Sequence, residues 1–166
     1  MRRLVLLRHA KSDYPAGVRD HDRPLNARGQ RDAPAAGAWL RDNVGDIDLV
    51  LVSSAARAQQ TWQLASGSVR VIDGVRTEPR IYEADASTLL DVVLAIPDAT
   101  HSALLVGHNP GLADLAARVA TDGDPEALGR MATKYPTSGI AVLAGDGAWA
   151  DLARSARLQA FAVPRG

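Results

Sequence analysis

Two histidines and two arginines carry the chemistry of this sequence. Arg8 and His9 follow directly on the apolar run Leu4-Val5-Leu6-Leu7, and His108 follows on Ala103-Leu104-Leu105-Val106-Gly107. Arg57 comes a few residues after a third apolar run, Ile47 to Val52. Imidazole is a nucleophile or a base near neutral pH, and guanidinium binds phosphate with planar, forked geometry. Two imidazoles with two guanidiniums, without a thiol or a serine elbow, suit phosphoryl transfer, where positioning and charge neutralisation dominate. An Arg-His pair can also end a strand merely to meet solvent. What separates the two readings is whether distant segments converge.

Short apolar runs bounded by charges read as buried strands of a mainly parallel sheet. The carboxyl ends of such strands share one edge, where open α/β sheets place ligands. Three separate segments would then deliver Arg8, His9, Arg57 and His108 to one place. A helix opening at Asn109-Pro110, with proline in its first turn, would turn free N–H groups toward the same edge. Elsewhere Asn26 reads as the N-cap of a helix running to Asn43 and holding Pro34. Ser53-Ser54 and Ser87 read as caps of two further helices, and Val69 to Ile72 as a short strand. Asp122 to Pro125 and Gly145 to Gly147 read as turns, and Ala156 to Val163 as a last strand. Strand and helix alternate throughout, which predicts a three-layer α/β/α domain with a mainly parallel central sheet.

Composition narrows the classes. The 166 residues fit one domain, and 46% hydrophobic with 23% charged residues is ordinary for a globular protein. Nineteen basic residues balance nineteen acidic ones, so nothing points to nucleic acid or an anionic membrane. Lys11 and Lys134 are the only lysines among those cations. Without cysteine, thiolate catalysis and zinc–thiolate sites are excluded. His9, His21, His101 and His108 lack the spacing of metal ligands on one helix, so no metal site is expected. His21 and His101 read as surface residues, and Trp39 and Trp62 as core. Met1-Arg2-Arg3 before Leu4 to Leu7 imitates a signal peptide, but the apolar stretch is too short. The expected location is the cytoplasm.

Six stretches, taken in order, carry a resemblance. Leu7-Arg8-His9-Ala10 resembles the Arg-His-Gly signature of the histidine phosphatase superfamily, and Ala10-Lys11-Ser12 is similar to its SixA-type phosphohistidine phosphatase branch. Asp22-Arg23-Pro24-Leu25-Asn26-Ala27-Arg28-Gly29 resembles that branch's Asp-Arg-Pro-Leu…Arg-Gly. Ser53-Ser54-Ala55-Ala56-Arg57-Ala58-Gln59-Gln60-Thr61 resembles the family's Ser-Pro-x-x-Arg-Ala-x-Gln-Thr, with Ser54 where proline is usual. Ile81-Tyr82-Glu83-Ala84, Val106-Gly107-His108-Asn109-Pro110-Gly111 and Tyr135-Pro136-Thr137-Ser138 match as well. The resemblance runs from the first strand to about Ala144.

The resemblance implies a phosphoglycerate mutase-like fold over residues 1–166, a single histidine phosphatase domain. It implies a phosphatase in which His9 becomes phosphorylated while Arg8, Arg57 and His108 hold the phosphoryl oxygens. No cofactor is implied, since the arginines take the role of a metal. Lys11, Ser12 and Asn109 are candidate substrate-binding residues. Glu83 stands where related enzymes carry an acid; it reads equally as an exposed loop residue or an ion-pair partner of Arg80. Arg23 and Arg28 are expected to pair with Asp20 or Asp22 and shape the loop after the first strand. The expected partner is a phosphohistidine-bearing protein, such as a phosphotransfer domain, or a small phosphorylated molecule. The alternatives are a phosphatase of small metabolites and a phosphate-binding module without turnover. With no room for a large lid, the site is expected to be an open cleft beside residues 12–23.

Overall fold

The computed structural model describes all 166 residues. Chain order is β1 (Arg2–Arg8), α1 (Ala27–Asn43), β2 (Ile47–Val52), α2 (Ala56–Ala65), β3 (Val71–Thr77), α3 (Ala86–Leu94), β4 (Ser102–Gly107), α4 (Gly111–Val119), β5 (Ala120–Gly123), α5 (Pro125–Thr133), β6 (Ile140–Gly145), α6 (Trp149–Arg154) and β7 (Ala156–Ala162). The seven strands form one sheet in the order β3-β2-β4-β1-β6-β7-β5. From β3 to β1 every pairing is parallel; β6 lies antiparallel to both β1 and β7, and β5 pairs parallel with β7. This is a single α/β domain of the phosphoglycerate mutase-like fold, with a mostly parallel sheet.

β1 is the axis of that sheet because its apolar run is buried on both faces. Leu4, Val5, Leu6 and Leu7 are all fully buried. Alternation then divides them: Leu4 and Leu6 enter the core under α3, α4, α5 and α6, while Val5 and Leu7 enter the core under α1 and α2. In register, Leu7 faces Val106 of β4 on one side and Ile140 of β6 on the other. Helices on both faces complete the three layers. No helix is long and apolar enough to cross a membrane.

Several local expectations are corrected. α2 is capped by Ala55 without a side-chain bond, and Ser53 instead accepts from the Ala55 N–H. The cap of α3 is Asp85, which accepts from the Thr88 N–H, and Ser87 lies inside the helix. β3 starts at Val71, not Val69, and runs on to Thr77 as a half-exposed edge, where no continuous apolar run is needed. Residues 120–123, of which Asp122 and Gly123 were expected in a turn, pair as the edge strand β5. Asp124 then caps α5 with Pro125 in its first turn. α6, only six residues long, also escaped the periodicity. Asn26 does cap α1 by accepting from the Gly29 N–H.

Candidate active site

The three parallel strands β1, β4 and β2 end side by side. His9 N–H donates to the Gly107 carbonyl, and Ser53 N–H to the Val106 carbonyl, both at 3.0 Å. Arg8, His9, Ser53 and His108 are thereby fixed at one edge, and the first turn of α2 adds Arg57. The His9 and His108 rings lie 5.1 Å apart between centroids. A polar cleft of about 220 Å³ opens there, lined by Arg8, His9, Lys11, Ser12, Tyr14, Arg23, Arg57, His108, Asn109 and Thr137. All four residues singled out by their chemistry line it, as do Lys11, Ser12 and Asn109.

The tautomer of His9 follows from its neighbour. Its Nδ1 lies 2.7 Å from the Ala10 carbonyl. A carbonyl only accepts, so Nδ1 carries the hydrogen and Nε2 keeps its lone pair. The same peptide is held from its other side, since Ala10 N–H donates to the Thr61 hydroxyl at 2.9 Å. Burial drives the His9 pKa down to about 3; the Ala10 contact opposes this, and His108, Arg57 and Arg8 push it further down. The ring is therefore neutral across the physiological range. Burial likewise lowers His108 to about 4, with Arg57 adding to the shift. Its Nε2 bonds the Ser53 hydroxyl at 2.7 Å, and its buried Nδ1 has no protein partner.

Both guanidiniums are braced from behind. Arg8 donates through Nη1 to the Tyr135 carbonyl, which also receives the Asn109 amide. Arg57 donates from Nη1 to the Asp20 carbonyl at 2.8 Å and from Nη2 to the Asp20 carboxylate at 3.1 Å. The Nε atoms of Arg8 and Arg57 are buried with no protein acceptor. Each guanidinium thus keeps hydrogen-bonding capacity that the protein itself does not use.

The motif Arg57-Ala58-Gln59-Gln60-Thr61 now has a mechanical reading. Arg57 holds the Asp20 turn, Gln60 accepts from the Leu25 N–H, and Thr61 holds Ala10. One helix face thus gathers three loop positions. Gly29 serves the same assembly, because a Cβ there would lie 2.1 Å from the Lys11 carbonyl. Gly111 lets α4 approach the residues after β3 as closely, its Cβ position being 2.0 Å from the Ala84 carbonyl.

The start of α4 differs from expectation, and one of the readings of Glu83 is decided. Pro110 is the N-cap of α4 and not its first helical residue. The N–H groups of Leu112 and Ala113 are taken by the His108 carbonyl and the Asn109 side chain, so they are not free to bind an anion. Glu83 is an exposed loop residue, as one of its readings had it, and does not line the cleft. Arg80 pairs with Glu78 at 2.8 Å, which removes the proposed ion pair with Glu83.

The carboxylate that does reach Arg57 is Asp20, which had been assigned only to loop shaping. Tyr82 donates to it at 2.5 Å, and Arg23 pairs with it at 3.1 Å. Those contacts, the Tyr82 bond first, hold Asp20 well below the usual carboxylate range, while Tyr82 rises to about 12. Arg23 also donates to Ser12, so the expected pairing of Arg23 with Asp20 reaches the cleft wall. Arg28 pairs with Asp32 instead. His21 is half-exposed, bonding Ser54 and meeting Tyr82 edge-on, and does not line the cleft. Asp20 and Tyr82 left no spacing signal of their own, because each acts across more than thirty positions on Arg57 or on the other.

Residues 4–95 match the model of the histidine phosphatase superfamily (branch 1). The chain belongs to that superfamily. It is a phosphatase, and so a hydrolase, of the SixA type. A Mycobacterium leprae protein of uncharacterised function is 44% identical, over 96% of this chain and 100% of its own length. A Nakamurella multipartitia structure assigned to phosphohistidine phosphatase SixA superposes with a TM-score of 0.83 at 37% identity, over 98% of this chain and 96% of that one. Its Agrobacterium tumefaciens counterpart superposes at 0.80 with 34% identity, over 98% of both chains. The histidine phosphatase match ends at Ile96's predecessor, Ala95, so His108 and the Tyr135–Ser138 stretch rest on the geometry above.

Proposed function

We propose that this histidine phosphatase removes the phosphoryl group from a phosphohistidine carried by another protein, through a covalent intermediate on His9. The observation that carries the reading is the His9 ring: neutral, tied through Nδ1 to Ala10, with an unprotonated Nε2 among the donors of Arg8, Arg57 and His108. Nε2 attacks phosphorus, and the bond from phosphorus to the substrate's nitrogen breaks. The substrate imidazole leaves with the proton it already carries. The two guanidiniums and the N–H of His108 take up the charge on the three phosphoryl oxygens. A water molecule then attacks phosphorus, the bond to Nε2 breaks, and phosphate departs.

The substrate class follows from the leaving group and the shape. An imidazole that leaves protonated needs no carboxylic acid, and no carboxylate lines the cleft. An open polar cleft gives a small metabolite little to be buried in, whereas a protein can add contacts around the rim. The SixA assignments of the Nakamurella and Agrobacterium proteins support the same class. Arg8 and Arg57 supply the charge neutralisation that a metal provides in other phosphoryl-transfer sites, which supports metal-independent turnover.

The test is turnover by purified protein of a phosphohistidine peptide against a panel of phosphate esters, with and without EDTA. Phosphohistidine is expected to be preferred, with the rate unchanged by chelation. Preference for a small ester would assign the enzyme to metabolites. Loss of activity in EDTA, restored by a divalent cation, would reject metal independence.

A further inference from the structure

Beside the catalytic cleft lies a second one, of about 170 Å³, and the two share Arg8, Lys11 and Thr137 as a common wall. The second cleft adds Arg28, Lys134 and Arg165. Five cations therefore face one space in a chain whose formal charge is zero. The only lysines of the sequence, Lys11 and Lys134, are both among them.

Little in the protein neutralises this group. Asp32, itself 2% exposed, lies beneath it and pairs with Arg28 and with Arg165, each at 3.4 Å. Arg165 also donates to the Thr137 carbonyl, which anchors it at the shared wall. Lys11 and Lys134 form no ion pair, and the terminal nitrogens of Arg28 donate to no protein acceptor. Asp32 is the only carboxylate side chain that pairs with any of the five cations. Like charges held this close repel one another, and a concave wall of one sign concentrates counter-ions. The arrangement is costly unless an anion relieves it.

We propose that this cleft is a second anion subsite, which binds a further phosphate or carboxylate of the same substrate molecule while its phosphoryl group lies over His9. The proposal rests on the phosphatase reading and adds a selectivity to it: substrates with a second anionic group beside the scissile bond are preferred. Arg8 belongs to both clefts, so a doubly anionic substrate straddles it. On a protein the second group is an acidic side chain near the phosphohistidine; on a small molecule it is a second phosphate.

The experiment compares substrates that differ only in that second charge. One arm uses phosphohistidine peptides flanked by aspartate or by asparagine. The other uses a sugar bisphosphate and its monophosphate, and p-nitrophenyl phosphate is the reference with a single phosphate group. In the wild type, KM is expected to be roughly 3- to 10-fold lower for the doubly anionic member of an arm, as for a few partly screened charge contacts. Lys134→Ala together with Arg28→Ala should erase that difference, with kcat and the p-nitrophenyl phosphate reaction unchanged. The arm that shows the gain identifies the source of the anion. No gain in either arm, or a gain that survives the double substitution, overturns the subsite. Should the protein turn over none of these compounds, the phosphatase reading fails by itself. Calorimetric titration with tripolyphosphate against orthophosphate then still decides the subsite, by whether the wild type favours tripolyphosphate and the double variant does not.

Discussion

The two halves of the sheet do different jobs. In the half from β3 to β1, all pairings are parallel, so the residues following β1, β2 and β4 meet at one edge. That half supplies His9, Ser53, Arg57 and His108. In the other half β6 runs against β1, with Ile140 opposite Leu7. It is therefore the segment entering β6, and not the one leaving it, that reaches the site. Tyr135 takes the Arg8 guanidinium on its carbonyl and donates its hydroxyl to the Leu6 carbonyl, while Ser138 N–H contacts the carbonyls of Arg8 and His9. One half presents reactive groups, and the other presents backbone that holds them. Substitutions should divide along the same line, into those that lower the rate and those that lower stability.

The sharpest contrast comes from His9→Ala. Turnover of phosphohistidine should fall on the order of 10⁴-fold or more, because the atom proposed to take the phosphoryl group is removed. The variant should stay folded with a moderately lowered melting temperature, because a buried ring and its bond to Ala10 are lost while the strand beneath them is unchanged. Brief exposure to a radiolabelled phosphoramidate should leave acid-labile, base-stable label on the wild type and none on the variant. Appreciable turnover by the variant would end the nucleophile assignment.

Trp149→Ala should give the opposite pattern. Trp149 is 2% exposed at the start of α6, donates to the Thr100 carbonyl at 3.1 Å, and lies 5.5 Å beneath the Arg2 guanidinium. Removing it should cost about 3–5 kcal/mol in denaturant unfolding. At a temperature where the variant remains folded, kcat/KM should stay near the wild-type value. A large rate loss there would mean that the far half is coupled to the site as more than a support.

The smallest effect is expected at Glu83. Its side chain is exposed and outside the cleft, so Glu83→Gln should alter kcat/KM by no more than about 2-fold on phosphohistidine or esters. A tenfold loss confined to esters would reinstate it as the acid.

The same division governs what the sequence reveals. β1, β2 and β4 are legible because a strand covered on both faces carries an apolar run through its middle, and each such run ends on a marked residue. β3 and β5 are edges with exposed faces, so Val71 to Thr77 and Ala120 to Gly123 carry no such constraint. The start of α5 was present as Asp124-Pro125-Glu126, a cap followed by a first-turn proline, but the same residues also write a turn. At the site, groups that act from strand ends were legible, whereas Asp20 was not. Its importance comes from meeting Arg57, Arg23 and Tyr82 in space. Glu83 attracted attention by its place in a motif, yet the side chain beside it, Tyr82, is the one turned toward the site.

The central position of β1 has a consequence in time. Leu4 is paired with Ala103 of β4 and with Leu143 of β6, partners that lie far along the chain. During synthesis at roughly 5–20 residues per second, this central strand emerges early and must wait on the order of ten seconds for both neighbours. Until then Leu4 to Leu7 is an uncovered strand with two open edges, a natural binding site for a chaperone. His9, one residue past its end, reaches its working geometry only when β6 and the Ser138 N–H that leads into it are in place.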